Sequence, residues 1–182
     1  MFGSLRLALR RPSVRSHLAD LSYRVPERQL QGESGPEINR YTRLGLKQGW
    51  SPRTTAGVLA GIRSAQAALA LDPDRRMRIG QVLTEQDRKG STALGWLAEF
   101  GHGSMNSVGI DTFVLRFNYA NGMLASWIER GEDVDPQVRP IFIALTAWAL
   151  AGVEGDTIEE RLEELLKSLA GRDSGRPAPT RA

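Results

Sequence analysis

Apolar residues recur along this chain at the three-and-four spacing of an α-helix, and no stretch between turn signals alternates with period two over strand length. Val14, Leu18, Leu21 and Val25 fall at i, i+4, i+7 and i+11, one stripe of a first helix, with Arg11, Arg15 and Arg24 opposite it. The polar run from Pro26 to Gly35 reads as a loop. A second helix is expected with Ser34 as cap and Pro36 in its first turn, ending near Gly49. Ser51-Pro52 predicts another start: the serine oxygen accepts an orphan backbone N–H, and proline at the first helical position has none to satisfy. Val58, Ile62, Ala65 and Leu69 give that third helix its buried stripe.

Asp72-Pro73 repeats the signal for a fourth helix, with Ile79, Val82 and Leu83 inside and Arg75, Arg76 and Arg78 near its beginning. The segment from Asp87 to Ser91 is expected to be a loop leading into a short helix, Thr92 to Phe100. A glycine-rich loop from Gly101 to Gly109 follows. Asp111 should cap a long helix to about Arg130, with Phe113, Val114, Phe117, Leu124, Trp127 and Ile128 on one side. Asp135-Pro136 opens the next helix. Ile141, Phe142, Leu145, Trp148 and Leu150 surround it almost completely, which marks it as central. Thr157-Ile158-Glu159-Glu160 is a capping box, and the helix it opens buries Ile158, Leu162, Leu165, Leu166 and Leu169. The pattern predicts an all-α fold, a single-domain bundle of about seven or eight helices over residues 1–171. A flexible tail rich in Pro, Gly, Arg and Ser is expected over residues 172–182.

With 182 residues, 41% of them hydrophobic, the chain is long enough for one proper core. It has no cysteine, which excludes disulfides, thiolate metal sites and a cysteine nucleophile and suits a cytoplasmic setting. The longest apolar run, Pro140 to Val153, is shorter than the roughly 20 residues a bilayer requires, so no membrane span is expected. Residues 1–20 are Arg- and Ser-rich with no acid before Asp20, a composition shared with organelle transit peptides; a basic first helix is the preferred reading.

Net charge is only +3, but it is unevenly spread. Residues 1–90 hold 16 basic against 8 acidic side chains, and residues 91–182 hold 8 against 13. That asymmetry points to a polyanion on one face and a protein neighbour on the other. Arginine outnumbers lysine 21 to 3, a bias that suits phosphate binding but also follows from a GC-rich genome.

Catalytic groups are scarce. His17 and His102 are the only histidines and are far apart in the chain. Glu159, Glu160, Glu163 and Glu164 fall on the face of the last helix away from its leucines, near Arg161 and Lys167. They read as a solvated or protein-docking face rather than a metal site. His102 and Ser104 share a glycine loop without the strand–turn–helix elbow of a hydrolase, and no phosphate-loop motif is present. The expectation is therefore a non-enzymatic protein with no cofactor and no metal. Its basic side chains are the candidate site: Arg40, Arg43 and Lys47 on one face of the second helix, Arg53 and Arg63 on the third, Arg75, Arg76 and Arg78 on the fourth, then Arg88 and Lys89. Gathered into a groove, they would hold a sugar-phosphate backbone in a salt-dependent way; dispersed, they are an ordinary solvated surface. No recognition helix or aromatic stacking platform supports base reading.

Gly90-Ser91-Thr92-Ala93-Leu94-Gly95-Trp96-Leu97-Ala98, the polar loop Gly103-Ser104-Met105-Asn106-Ser107 and the following helix with Phe113, Leu115, Arg116 and Phe117 resemble the small-subunit family of multisubunit (class 1) CRISPR effector complexes. The resemblance covers about residues 75 to 130. The tryptophan-rich C-terminal pattern of the best-known branch is not matched; Trp148 and an acidic leucine helix stand there. The resemblance implies a helical subunit that stacks in several copies beside other subunits and steadies guide RNA or displaced single-stranded DNA by its phosphates. The opposite charges of the two halves would suit head-to-tail self-association. The alternative is a protein-interaction or structural adaptor module of a phage or mobile element, without nucleic-acid binding.

Overall fold

The computed structural model describes residues 2–22, 35–89 and 108–173, and these form seven α-helices with no strand among them. In chain order they are α1 (Phe2–Leu21), α2 (Gly35–Gln48), α3 (Pro52–Leu69), α4 (Pro73–Lys89), α5 (Val108–Glu129), α6 (Val138–Ala151) and α7 (Ile158–Asp173). The all-α bundle expected from the periodicity is the observed architecture. The expected short helix over 92–100, Ser34, Val25, Arg24 and residues 174–182 of the expected tail lie outside the described residues. Residues 172 and 173 still belong to α7.

The starts follow the local chemistry. Ser51 has the extended backbone of a cap, and its Oγ accepts the Thr54 N–H at 3.1 Å. The same hydroxyl donates to the Asp133 carbonyl, and Thr54 Oγ1 accepts the Asp135 N–H at 2.8 Å. One local cap thus also ties α3 to the connection between α5 and α6. At α7 the capping box is complete: Glu160 N–H donates to Thr157 Oγ1 at 3.2 Å, and Thr157 N–H donates to Glu160 Oε2 at 2.8 Å. The hydrogen bonds from Thr157 hold the Glu160 carboxyl below its ordinary pKa.

Several boundaries differ from expectation. α4 runs to Lys89, so Asp87, Arg88 and Lys89 are helical rather than loop. Its inward stripe continues through the buried Gln86, and Arg88 pairs with Glu85 one turn back at 3.0 Å. α5 begins at Val108, which puts Gly109 and Asp111 inside its first turns instead of in a loop and at a cap. Asp135-Pro136 forms a turn just ahead of α6: Asp135 Oδ1 accepts the Gln137 N–H at 2.9 Å, and helical geometry starts at Val138. α1 continues through Pro12, yet from Leu5 onward its first buried residue is Val14. Its N-terminal half carries Leu5 and Leu9 at 61% and 71% exposure, so a stripe of apolar residues extends past the core.

α3 and α6 form the centre, with the most extensive contact in the fold. α6, expected to be central, is one of the central pair, but Arg139, Pro140 and Ile143 are exposed, whereas α3 is buried at every position from Thr54 to Ile62. The reason is side-chain size: a Cβ on Gly57 would meet Val138 Cγ2 at 2.6 Å, and one on Gly61 would meet the Phe142 Cα at 3.0 Å. Gly57 faces Val138, Gly61 faces Phe142, and Ser64 accepts from Thr146 at 3.0 Å, so the two helices run parallel in register. Leu69, expected inside, is 37% exposed at the end of α3. α1 and α2 pack on the α3 side, while α4 packs on α5 and α6. α7 closes one end with Ile158 and Leu162 buried and Leu165, Leu166 and Leu169 half-buried.

Candidate nucleic-acid interface

The bundle distributes nine of the ten candidate cations over several faces; the tenth, Lys89, has its side chain outside the described residues. Arg40 and Lys47 line a cleft of about 420 Å³ between α2 and α7. There Arg40 Nη1 lies 3.3 Å from Glu159 Oε1, and Tyr41 donates to the same oxygen at 3.4 Å. Glu159 was expected on the solvated acidic face of α7; instead it turns to α2, where the exposed Arg40 guanidinium and the buried Tyr41 phenol both meet its Oε1. Arg161–Glu164 at 2.6 Å and Lys167–Glu163 at 3.9 Å do form pairs along the outer face. Arg43 and Lys47 are exposed and have no acid partner among the described residues.

Tyr41 is almost fully enclosed at this junction. Burial, and next the Glu159 carboxylate, push its pKa from 10.0 up to about 12. The neutral phenol is therefore the form the fold favours. Stability is complete below pH 10 and falls by up to about 2–3 kcal/mol as pH rises through 12. Urea midpoints measured at pH 8 and near pH 12 should show this drop in the native sequence, and Tyr41→Phe should lack that share of it.

On α3, Arg53 Nε sits 2.9 Å from Glu132 Oε2, close enough for charge pairing although its N–H does not point at the oxygen, and the guanidinium lies 5.8 Å from the Trp127 ring. Arg63 pairs with Glu37 at 3.3 Å. Part of the charge asymmetry between the two halves of the chain is thus compensated internally, through Arg40–Glu159 and Arg53–Glu132. An exposed pair such as Arg40–Glu159 adds little stability, but each of these pairs occupies the guanidinium.

On α4, Arg75 pairs with Asp72 at 3.3 Å, while Arg76 and Arg78 have no acid partner among the described residues. Two positions apart on a helix, Arg76 and Arg78 look about 200° away from each other, so they do not share a face. The Lys89 side chain lies outside the described residues. Gly90–Ala98, His102 and Ser104 do as well.

Arg76 opens a second, larger cleft of about 680 Å³ between α4, α5 and α6. Its guanidinium lies against Gly152, the left-handed residue (φ 67°) that ends α6, where the carbonyl end of the helix dipole favours a cation. Toward the opposite end stands a row of amides. Asn118 Nδ2 donates to Gln86 Oε1 at 2.9 Å, and Arg139 Nε donates to Asn121 Oδ1 at 2.7 Å. Gln86 is only 8% exposed and its Nε2 has no hydrogen-bond partner. Leu83, Phe117, Ile143 and Leu150 supply the apolar lining, and Asp87 is the one acid there. Sequence reasoning missed Arg139 and the three amides. Their signal was available: Gln86 continues the apolar stripe of α4 at Ile79 and Leu83, where a polar residue needs a reason.

Among the described residues no cluster of three His, Cys, Asp or Glu side chains could hold a metal ion, and no helix is long and apolar enough to cross a membrane. No protein-family model, curated protein or solved structure matches this chain.

Proposed function

We propose that this protein is a non-catalytic subunit that binds the sugar-phosphate backbone of RNA or single-stranded DNA within a larger assembly. The observation that carries the reading is that cations on three helices are left without acid partners among the described residues, Arg43 and Lys47 on α2, Arg76 and Arg78 on α4, and Arg139 on α6 among them. Arg139 is the second residue of α6 and its neighbour is a neutral amide, at the helix end where the dipole disfavours a cation. An incoming phosphate relieves that placement. Backbone binding of this kind releases counterions and is salt-dependent.

The sharper form of the proposal is the small subunit of a multisubunit CRISPR effector complex, stacking in several copies. It rests on the resemblance of about residues 75 to 130. Co-purification with neighbouring gene products, nuclease treatment and sizing test it: a large nuclease-protected particle with short RNA supports it, and a nucleic-acid-free oligomer sinks it. The second reading, a protein-interaction or structural adaptor module, is favoured by Leu5 and Leu9 exposed on the projecting half of α1.

Fluorescence anisotropy with labelled single-stranded RNA and DNA of mixed sequence separates the two readings. Affinity should fall with salt. The double reversals Arg43→Glu/Lys47→Glu and Arg76→Glu/Arg78→Glu should each weaken binding and lower the slope of log affinity against log salt by about 0.7 per lost phosphate contact. An unaltered slope in both variants, or no binding by the native chain at low salt, would overturn the proposal.

A further inference from the structure

The cleft between α4, α5 and α6 combines features that a cation patch alone does not require. It has an apolar lining that includes Leu83, Phe117 and Ile143, a row of side-chain amides, and an arginine toward each end. Its volume of about 680 Å³ falls within the roughly 300–1,000 Å³ of small-ligand sites. Amides offer donors and acceptors together, the pattern that base edges display, whereas a carboxylate or phosphate needs donors only. Gln86 strengthens the point. Its Oε1 is used by Asn118, but its Nε2 is buried with no partner, and a buried donor left unsatisfied is destabilising until something accepts from it.

The spacing of the cations decides what kind of molecule fits. Gln86 lies ten residues beyond Arg76 on the same helix, about 15 Å at 1.5 Å per residue, and the chain Gln86–Asn118, Asn121–Arg139 places the second arginine at the Gln86 end. Asn118 and Asn121 are one turn apart on α5, so this row is continuous. Arg76 lies against Gly152 at the end of α6 and Arg139 stands in its first turn, so the two cations do not converge on the phosphate of one free nucleotide. They match separate phosphates of one strand laid along α4, over Gly80, which presents no side chain to the cleft.

We infer that this cleft receives an unstacked base of a bound single strand, held at the Gln86–Asn118–Asn121 amides and on the apolar lining, with Arg139 and Arg76 on separate phosphates of the same strand. The inference rests on the nucleic-acid reading above and adds to it: backbone contacts alone make no use of a base. A base also buries apolar surface against Leu83, Phe117 and Ile143, and about 60 Å² of such burial is worth about tenfold in affinity.

The test compares an ordinary labelled oligonucleotide with a chain of equal phosphate count built from abasic spacers, both titrated against the full-length protein. The ordinary strand should bind about tenfold more tightly. Gln86→Leu/Asn118→Leu, which replaces both partners of a part-buried hydrogen bond by apolar groups of similar shape and so largely spares the fold, should reduce that preference while leaving abasic binding in place. Equal binding of the two strands by the native protein overturns the inference, yet leaves the backbone reading standing if both bind in a salt-dependent way. Binding of neither strand overturns both. Binding of adenosine or uridine monophosphate with neither strand bound makes the occupant a free nucleotide and overturns the inference. Should the double variant fail to fold, the two strands on the native protein still decide.

Discussion

Phe142→Ala should cost this protein about 3–5 kcal/mol, the range for deleting a large aromatic from a packed core. Phe142 is 1% exposed, stacks on Phe117 with ring centroids 5.0 Å apart and planes at 24°, and its backbone lies against Gly61 of the neighbouring central helix. Its ring is therefore shared by α3, α5 and α6, and removing it leaves a cavity that none of these helices can close by moving alone. Collapse onto the hole would require shifting α6 against α3, where Gly57 and Gly61 already bring the backbones into close approach. Thermal unfolding followed by circular dichroism should show a drop in midpoint on the order of 10 °C. A loss below about 1 kcal/mol would mean that α6 is not held in the centre by this side chain.

Gly61→Leu should have an effect nearly as large by the opposite route. The added Cβ would stand 3.0 Å from the Phe142 Cα and 3.6 Å from Leu145 Cδ1, before the rest of the leucine is placed. The first of these atoms is backbone, so no rotamer change relieves the contact; α6 itself must move. Overpacking of this severity costs about 3 kcal/mol, the upper end of its usual range. Gly61→Ala should cost distinctly less, since a shift of a few tenths of an ångström accommodates one methyl group. Urea midpoints for the pair distinguish a backbone clash from simple loss of glycine. If the leucine variant were no less stable than the alanine variant, the parallel α3–α6 contact would be wrong. At Gly49, by contrast, φ is +72° and open space surrounds the position. There a side chain meets backbone strain without a clash, and the cost should be correspondingly smaller.

The same two helices show where sequence patterning reaches and where it stops. α6 is dense in Ile, Phe, Leu and Trp and was legible as a core element. α3 is Ala-, Gly- and Thr-rich between Thr54 and Ile62, so it carries a weak hydrophobic signal although it is the more buried of the two. Small side chains are buried there for close approach, a property of the pair of helices and not of either alone. Helix ends divided in the same way. Ser51 and Thr157 cap as expected because a cap is an interaction among four consecutive residues. The 87–89 segment differed because α4 continues past a plausible stop where the buried Gln86 and the i,i+3 pair Arg88–Glu85 support another turn, and Asp111 differed because α5 already begins at Val108.

For the candidate site, the sequence identified which residues are cationic but not which remain available. Arg40 is neutralised by Glu159, 119 residues away, and Arg53 by Glu132, while Arg43, Lys47, Arg76 and Arg78 are left without acid partners among the described residues. Nothing local separates the first group from the second; a guanidinium pairs with whatever acid the fold brings to it. The amide row of Gln86, Asn118 and Asn121 with Arg139 likewise joins three helices. What the sequence alone determined, then, was the helical class, most helix starts and the basic character of the chain, because these follow from interactions within a turn or two and from composition. The identity of the central pair, the fate of each arginine and the cleft between α4, α5 and α6 were decided only by the tertiary structure, because each depends on side chains brought together from distant parts of the chain by the burial of a shared core.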